Sequence, residues 1–259
     1  MSMADKFSNA EAYERYMGRW SRLFARRFVD FVGITDGERV LDVGCGTGSL
    51  TYTVTSSAPR SEIVGIDPST AFVDYARSLT SDPRLSFDVG NAQSLPYPDG
   101  SFYKCLSLLV LQFIPDVSRA IGEIRRVTRV GGMVAACVWD KDVMEMHSVF
   151  WDSAAELEPG VDQRRGTPYA SGQLSSLWKQ GGLKNVEETG LEMQLEFASF
   201  DDYWTPVLGG QGPSGSYLLG LATDKQLALR QRVREKVLGA DRDRPFRLRA
   251  KAWAVRGVK

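Results

Sequence analysis

The sequence predicts an α/β fold: a doubly wound, Rossmann-like, mostly parallel seven-stranded sheet with helical lid insertions at its carboxyl edge. Three observations support this prediction. Apolar segments rich in β-branched residues alternate with helical segments between residues 39 and 139, which is typical of a parallel sheet. A glycine-rich turn directly follows the first apolar segment, and an acidic residue, Asp67, ends the second, as in nucleotide-binding folds.

The first predicted unit, residues 1–35, is a helical cap built on an amphipathic helix at 10–32. Large apolar residues, including Tyr16 and Trp20, recur at helical spacing on one face, while arginines line the other. This periodicity indicates a helix that packs its aromatic face against the rest of the protein.

The second predicted unit, residues 36–140, is the cofactor-binding core. Five strands are expected in it, at 39–44, 62–67, 85–89, 102–110 and 133–139. Helices are expected between them at 49–57, 69–78 and 116–129, with Ser69 capping the second. The fourth strand is apolar almost throughout, which indicates a central strand buried on both faces.

The third predicted unit, residues 141–259, departs from this alternation. We interpret 141–180 and 200–240 as insertions that form a lid over a ligand, because ligands of open α/β sheets lie beyond the carboxyl ends of the strands. Strands at 186–197 and 246–255 are expected to complete the sheet. The glycines at 209–212 are expected to form a loop that is free to close.

Composition excludes several classes of protein. The 259 residues carry 32 basic and 32 acidic side chains, so the chain as a whole is not an electrostatic binder of nucleic acid or membrane. The longest apolar stretch, 106–114, is too short to span a bilayer. Three cysteines without a paired motif predict no metal site, and with no secretory leader they favour a cytoplasmic location.

The strongest local signal is the segment VLDVGCGTGS at 40–49. Its glycines let the backbone turn tightly and approach a ligand, and their GxGxG spacing differs from the GxGxxG of dinucleotide binders. Asp42 would repel a pyrophosphate but can accept hydrogen bonds from an ammonium group. Asp67, 19 residues after Gly48, is placed to bind a ribose diol, and Asn91 after the third strand is placed to contact an adenine edge.

These segments resemble the class I S-adenosylmethionine-dependent methyltransferase family, in its ubiquinone-biosynthesis-like small-molecule branch. The resemblance covers about residues 36–140 and implies S-adenosylmethionine as cofactor and S-adenosylhomocysteine as product. In that family the glycine loop holds the methionine part, the acid at Asp67 binds ribose, and Asn91 and Ala92 flank the adenine. The implied cofactor-binding residues are Asp42, Gly44, Cys45, Gly46, Thr47, Gly48, Asp67, Pro68, Asn91, Ala92, Gln93 and Leu108.

Two positions depart from the pattern of that branch, which usually has aspartate at Asn91 and often has histidine at Gln112. Because a sulfonium methyl group is already activated, the enzyme mainly has to position its partners and exclude water. Catalytic candidates are Gln112, Tyr16 and His147, although a lone histidine more often lies on the surface or in the core. Predicted contacts to a small-molecule methyl acceptor are Tyr16, Trp20, Gln112, Trp139, Trp151, Trp204 and Gln211.

Three other functions remain open at this stage. A nucleic-acid methyltransferase is the first. It is disfavoured because LVLQ stands at 109–112 in place of an Asn-Pro-Pro-Tyr-type tetrad. The basic residues of 230–259 are better explained as a solvated helix face followed by an alternating strand than as a binding surface for nucleic acid. A NAD-dependent dehydrogenase is disfavoured by the glycine spacing. A regulator that binds S-adenosylmethionine without transferring the methyl group is the third. A monomer and a homodimer are equally compatible with the sequence.

Overall fold

The computed structural model describes residues 9–161 and 169–259. Its strands form a single seven-stranded sheet. They are β1 (Arg39–Val43), β2 (Glu62–Asp67), β3 (Leu85–Val89), β4 (Phe102–Leu108), β5 (Thr128–Met144), β6 (Lys184–Phe197) and β7 (Phe246–Val258). Their order across the sheet is β3-β2-β1-β4-β5-β7-β6.

The first five strands pair in parallel, and β7 runs antiparallel between β5 and β6. This confirms the predicted mostly parallel, Rossmann-like sheet. Because the chain winds outward from β1 in both directions, a crevice opens between the carboxyl ends of β1 and β4, which is where ligands bind in such sheets.

Helices cover both faces of the sheet. In the described chain they are α1 (Ala10–Tyr13), α2 (Arg19–Val32), α3 (Ser49–Ser57), α4 (Thr70–Ser78), α5 (Val117–Val127), α6 (Glu145–Leu157), α7 (Gln173–Gln180), α8 (Phe200–Trp204), α9 (Gly212–Leu219) and α10 (Thr223–Leu238). A π-helical turn (Glu14–Gly18) joins α1 to α2, and 3-10 turns lie at Leu111–Phe113 and Thr205–Gly209. None of these described helices combines the length and the apolarity needed to cross a bilayer.

Alternate strand residues enter two different hydrophobic cores. Val40 and Leu106 pack in the cluster that contains the N-terminal helices, α6 and α10. Leu41 and Cys105 pack in the cluster that contains α5 and α7. Burial on both faces explains the nearly continuous apolar character of the strands. The first cluster draws residues from all three units predicted from the sequence, and their division into 1–35, 36–140 and 141–259 stays a prediction.

Side-chain caps begin four of the ten described α-helices, at Asn9, Ser69, Asp116 and Ser199. Ser69 accepts a hydrogen bond from the Phe72 N–H, which confirms the predicted cap. The helix expected to reach 129 ends instead at Val127, because Thr128 is extended and pairs with Phe102 of β4.

The glycine-rich loop expected at 209–212 is short, because this segment is helical on both sides, and its closure over a ligand stays a prediction. The 3-10 turn Thr205–Gly209 leads into α9, and Gly215 packs directly on Gly210. A Cβ on Gly215 would lie 2.6 Å from the Gly210 carbonyl carbon. Glycine at Gly215 therefore permits close packing of the two backbone segments.

Candidate active site

A cavity of about 720 Å³ opens at the carboxyl edge of the sheet, a volume typical of small-molecule sites. Asp67 reaches it from the end of β2, Leu108 from the end of β4 and Trp139 from β5. Tyr16 closes it from the N-terminal cap, and Ser214 from α9. The insertions thus lie over the carboxyl edge, as the sequence predicted.

The glycine loop between β1 and α3 forms one wall. Gly44, Gly46 and Gly48 have φ of 76°, 52° and 91°, the left-handed region that favours glycine. A Cβ on Gly44 would lie 2.5 Å from a Val110 methyl, whereas one on Gly46 would meet only Phe72, at 3.8 Å. The backbone at Gly46 is therefore open to a ligand. Gly48 is not part of the cavity lining and serves instead as the N-cap of α3.

Asp67 ties the glycine loop to the end of β2. Its Oδ2 accepts a hydrogen bond from the Gly46 N–H at 3.0 Å and its Oδ1 accepts one from the Ser69 N–H at 2.9 Å. Burial raises the pKa of Asp67, and these two backbone N–H groups oppose the shift. Each carboxylate oxygen keeps a second lone pair, so Asp67 can accept further hydrogen bonds from hydroxyl groups in the cavity.

Asp42 is fully buried at the end of β1 and lines the same cavity. Its Oδ2 accepts a hydrogen bond from the Thr51 hydroxyl at 2.7 Å, while its Oδ1 has no partner among residues 9–161 and 169–259. Burial raises the pKa of Asp42 to about 7. Because a buried acceptor without a partner is costly, Oδ1 is suited to receive a hydrogen bond from a ligand ammonium.

The turn after β3 lines the same cavity as Asp67. Asn91, Ala92 and Gln93 line the cavity together with Pro68. Asn91 Oδ1 accepts a hydrogen bond from the Gln93 N–H at 2.9 Å. The asparagine therefore shapes its own turn and still presents its amide to the cavity.

On the opposite side of the cavity, the structure brings together most of the predicted acceptor residues. Tyr16, Gln112, Trp139 and Trp151 all line it, as does His147. The rings of Tyr16 and His147 stack with centroids 6.5 Å apart. Because these aromatic side chains line the cavity together, this part of its surface is aromatic and partly apolar.

Three predicted acceptor residues lie outside the lining, and we reassign them to packing roles. Trp20 packs on Phe197, with ring centroids 5.2 Å apart. Trp204 stacks between Phe150 and Phe200 in the core of the insertions. The buried Gln211 contacts protein backbone: its Oε1 accepts from the Asn9 N–H, and its Nε2 donates to the Gly209 carbonyl.

Acidic residues near the site that the sequence did not single out include Asp140 and Glu14. Asp140 lines the cavity, and its Oδ1 accepts hydrogen bonds from two backbone N–H groups just after it. Its place at the end of the predicted fifth strand was a usable signal. Glu14 accepts a hydrogen bond from the Thr47 hydroxyl and pairs with Arg22 at 2.5 Å. Nothing in the sequence marks Glu14, since this contact joins the cap to the glycine loop across 33 residues.

The sheet, the glycine loop and the cavity together define a Rossmann-like fold with a small-molecule site at the carboxyl edge of its sheet. Residues 41–136 match the family described as "Methyltransferase domain". This segment of the chain is therefore similar to a methyltransferase domain, and such a domain implies S-adenosylmethionine as its cofactor.

The similarity to curated proteins is partial. The chain is 34% identical over 137 residues to an uncharacterized methyltransferase of Schizosaccharomyces pombe, which is 46% of this chain and 49% of that protein. It is 30% identical over 131 residues to a demethylmenaquinone methyltransferase of Symbiobacterium thermophilum, which is 48% of this chain and 52% of that protein. The chain thus spans about half the length of these curated relatives.

Among solved structures, one similar fold is phosphoethanolamine N-methyltransferase 2 of Haemonchus contortus in complex with S-adenosyl-L-methionine. The TM-score is 0.63 at 17% identity, covering all of this chain and 60% of that one. At this identity the likeness concerns the fold alone.

Proposed function

We propose that the protein is an S-adenosylmethionine-dependent methyltransferase that acts on a small-molecule acceptor. One observation carries the proposal: a single cavity joins the glycine loop and Asp67 to a compartment walled by Tyr16, Trp139 and Trp151. The demethylmenaquinone methyltransferase among the relatives supports the same function.

The residues present fit the cofactor. Asp42 Oδ1 is a buried acceptor without a partner in the described chain, suited to the amino group of the methionine part. The open backbone at Gly46 leaves room for that part beside the loop. Asp67 would hold the ribose hydroxyls, and the turn at 90–93 would hold the adenine.

When bound, S-adenosylmethionine supplies a methyl group already activated on a sulfonium. The protein's own contribution is then to orient the acceptor and exclude water. Trp139 and Trp151 supply rigid apolar walls for this purpose, and α9 contributes Pro213 and Ser214 to the enclosure. If the acceptor has to lose a proton, the titratable groups in this part of the lining include His147, Tyr16 and Asp140.

An extended polyanionic acceptor is less well supported. The alternating basic residues of β7 are paired with acids rather than presented as a free patch. Arg247 pairs with Glu196, Arg249 with Glu145, and Lys251 with Glu192. These pairs offset the positive charge that would attract a phosphate backbone.

Calorimetric titration with S-adenosylhomocysteine and with NAD tests the cofactor assignment. We expect binding of the first only, and we expect Asp67→Ala to weaken it by about 1.5–3 kcal/mol, the scale for hydrogen bonds to a charged group. Asp67→Asn should lose less, because it keeps an acceptor. Asp88→Ala is the matched control, since this β3 carboxylate accepts from the Tyr97 hydroxyl outside the cavity lining.

Two outcomes would contradict the assignment: tight NAD binding without S-adenosylhomocysteine binding, or equal affinities of wild type and a folded Asp67→Ala. A methyl-donor turnover screen over small phenols, quinones, amines and acids then addresses the acceptor. Turnover of RNA with none of these small molecules would favour the nucleic-acid alternative.

A further inference from the structure

Gln112 occupies an unusual position at the end of β4. It lies in the 3-10 turn Leu111–Phe113, is 9% exposed and lines the cavity. The turn is preceded by Leu109, whose φ of 60° is uncommon for a residue with a side chain. The Leu109 N–H donates to the Cys137 carbonyl of β5 at 2.7 Å, which holds this backbone in place.

The orientation of the Gln112 amide follows from its partner. Its Nε2 donates to the Leu109 carbonyl at 2.6 Å, and because a carbonyl can only accept, the nitrogen must be the atom on that side. Gln112 Oε1 is therefore fixed on the other side, where it is buried and has no hydrogen-bond partner among residues 9–161 and 169–259. A buried acceptor in this state requires a donor that the protein itself does not supply.

Strand order places this oxygen on the acceptor side. Asp67 and Asn91 follow β2 and β3, which lie on one side of β1, whereas Gln112 follows β4 on the other. Trp139 of β5 and His147 of α6 share the lining with it. The methionine, ribose and adenine parts of the cofactor already have matching groups elsewhere in the cavity.

We propose that Gln112 Oε1 selects methyl acceptors that carry a hydroxyl or N–H donor and orients them by accepting that hydrogen bond. The inference rests on the proposed methyltransferase function and narrows its substrate class to protic molecules. A neutral amide oxygen cannot take up the proton at neutral pH. Gln112 is therefore a specificity-determining residue and not a general base.

The test uses Gln112→Met, which keeps the length of the side chain and removes the acceptor. Gln211→Met is the matched control, because Gln211 is the other buried glutamine of the described chain and lies outside the cavity lining. Titration with S-adenosylhomocysteine comes first, and both variants should bind within about threefold of wild type. A large loss in Gln112→Met alone would assign Oε1 to the cofactor and overturn the proposal.

The second step measures binding of probe pairs to the protein saturated with S-adenosylhomocysteine. The pairs are 2-naphthol with 2-methoxynaphthalene and aniline with N,N-dimethylaniline, in which methyl groups replace the donor hydrogens. Wild type and Gln211→Met should prefer a protic member by about tenfold, the scale of one hydrogen bond. In Gln112→Met that preference should fall to about threefold or less, through weaker binding of the protic member.

The proposal is overturned if no protic probe binds, if aprotic members bind equally well to wild type, or if Gln112→Met keeps the preference. These failures differ from failure of the proposed function, in which wild type would not bind S-adenosylhomocysteine at all.

Discussion

The two sides of the cavity are built in different ways. On the cofactor side, each contributing segment is a short turn that directly follows a parallel strand, at 42–47, 67–69 and 90–93. On the acceptor side, Tyr16, Trp151 and Ser214 come from segments far apart in the chain. The first side is therefore specified by local sequence, whereas the second depends on how the cap and the insertions pack.

Two equally buried tryptophans of the insertions offer the sharpest test of this difference. Trp204→Ala removes an indole packed between Phe150 and Phe200, and we expect it to lower the free energy of unfolding by about 3–5 kcal/mol. Trp151→Ala should cost a similar amount, and because Trp151 lines the cavity, it should also weaken acceptor binding. Urea denaturation measures the first effect.

The corresponding Phe variants keep the protein folded for acceptor titration with S-adenosylhomocysteine bound. Trp151→Phe should weaken acceptor binding, and Trp204→Phe should not. If Trp204→Phe instead lost acceptor affinity at normal stability, Trp204 would belong to the acceptor side after all.

The same division separates the features that the sequence predicts from those that it does not. The parallel strands, the Ser69 cap and most of the glycine-loop residues were predictable, since strand burial and turn chemistry act over a few residues. Trp204 and Gln211 were predicted to contact the acceptor because they lie in the insertions. Whether a residue of an insertion faces the cavity or the core, however, depends on long-range packing. The same holds for Trp20, because the N-terminal cap presents Tyr16 to the cavity and Trp20 to Phe197.

On the cofactor side, Gly44→Ala should cause the next largest loss of stability. Strain at φ of 76° and a Cβ 2.5 Å from Val110 together should cost about 2–5 kcal/mol in stability, and S-adenosylhomocysteine affinity should fall as well. Gly37→Ala is the control, because Gly37 has φ of 87° but no atom within 4 Å of its Cβ. That variant should lose only about 1–2 kcal/mol and bind normally. Equal losses in the two variants would mean that strain alone, and not the close approach, requires glycine at Gly44.

Asp42→Asn should change stability and cofactor binding in opposite directions, raising the first and weakening the second. Burial raises the pKa of Asp42 from 3.8 to about 7, so the folded state binds more protons than the unfolded state between these pH values. The contribution of Asp42 to the free energy of unfolding should therefore fall as pH rises from about 4 to 7. Asp42→Asn should remove this slope and gain roughly 1–4 kcal/mol at pH 8, while binding S-adenosylhomocysteine more weakly.

Urea denaturation at several pH values, together with calorimetric titration, checks both parts of this prediction. Identical pH slopes in wild type and Asp42→Asn would show that Asp42 does not hold the proton.

The smallest effect is expected where the cap meets the insertions. Arg19 donates to both carboxylate oxygens of Asp202 at 2.9 and 3.0 Å, and its guanidinium lies over the Trp20 ring. Arg19→Met should lower the free energy of unfolding by about 0.5–1 kcal/mol, since the pair is partly solvated. Arg15→Met, which breaks a more exposed pair with Glu11, should have no measurable effect. A marked loss of cofactor affinity in Arg19→Met would mean that the two sides are coupled through the cap.

The π-helical turn at Glu14–Gly18 has a consequence at the level of the gene. Such a turn holds one residue more than an α-helical turn, and one residue corresponds to about 100° of rotation around a helix. The extra residue sets the face that Tyr13 presents relative to α2, so that Tyr13 lines the cavity and contacts Phe72 of α4, while Phe24 stays in the core. Deleting a single codon within this turn would swing Tyr13 away from the ligand and leave the helix behind it intact.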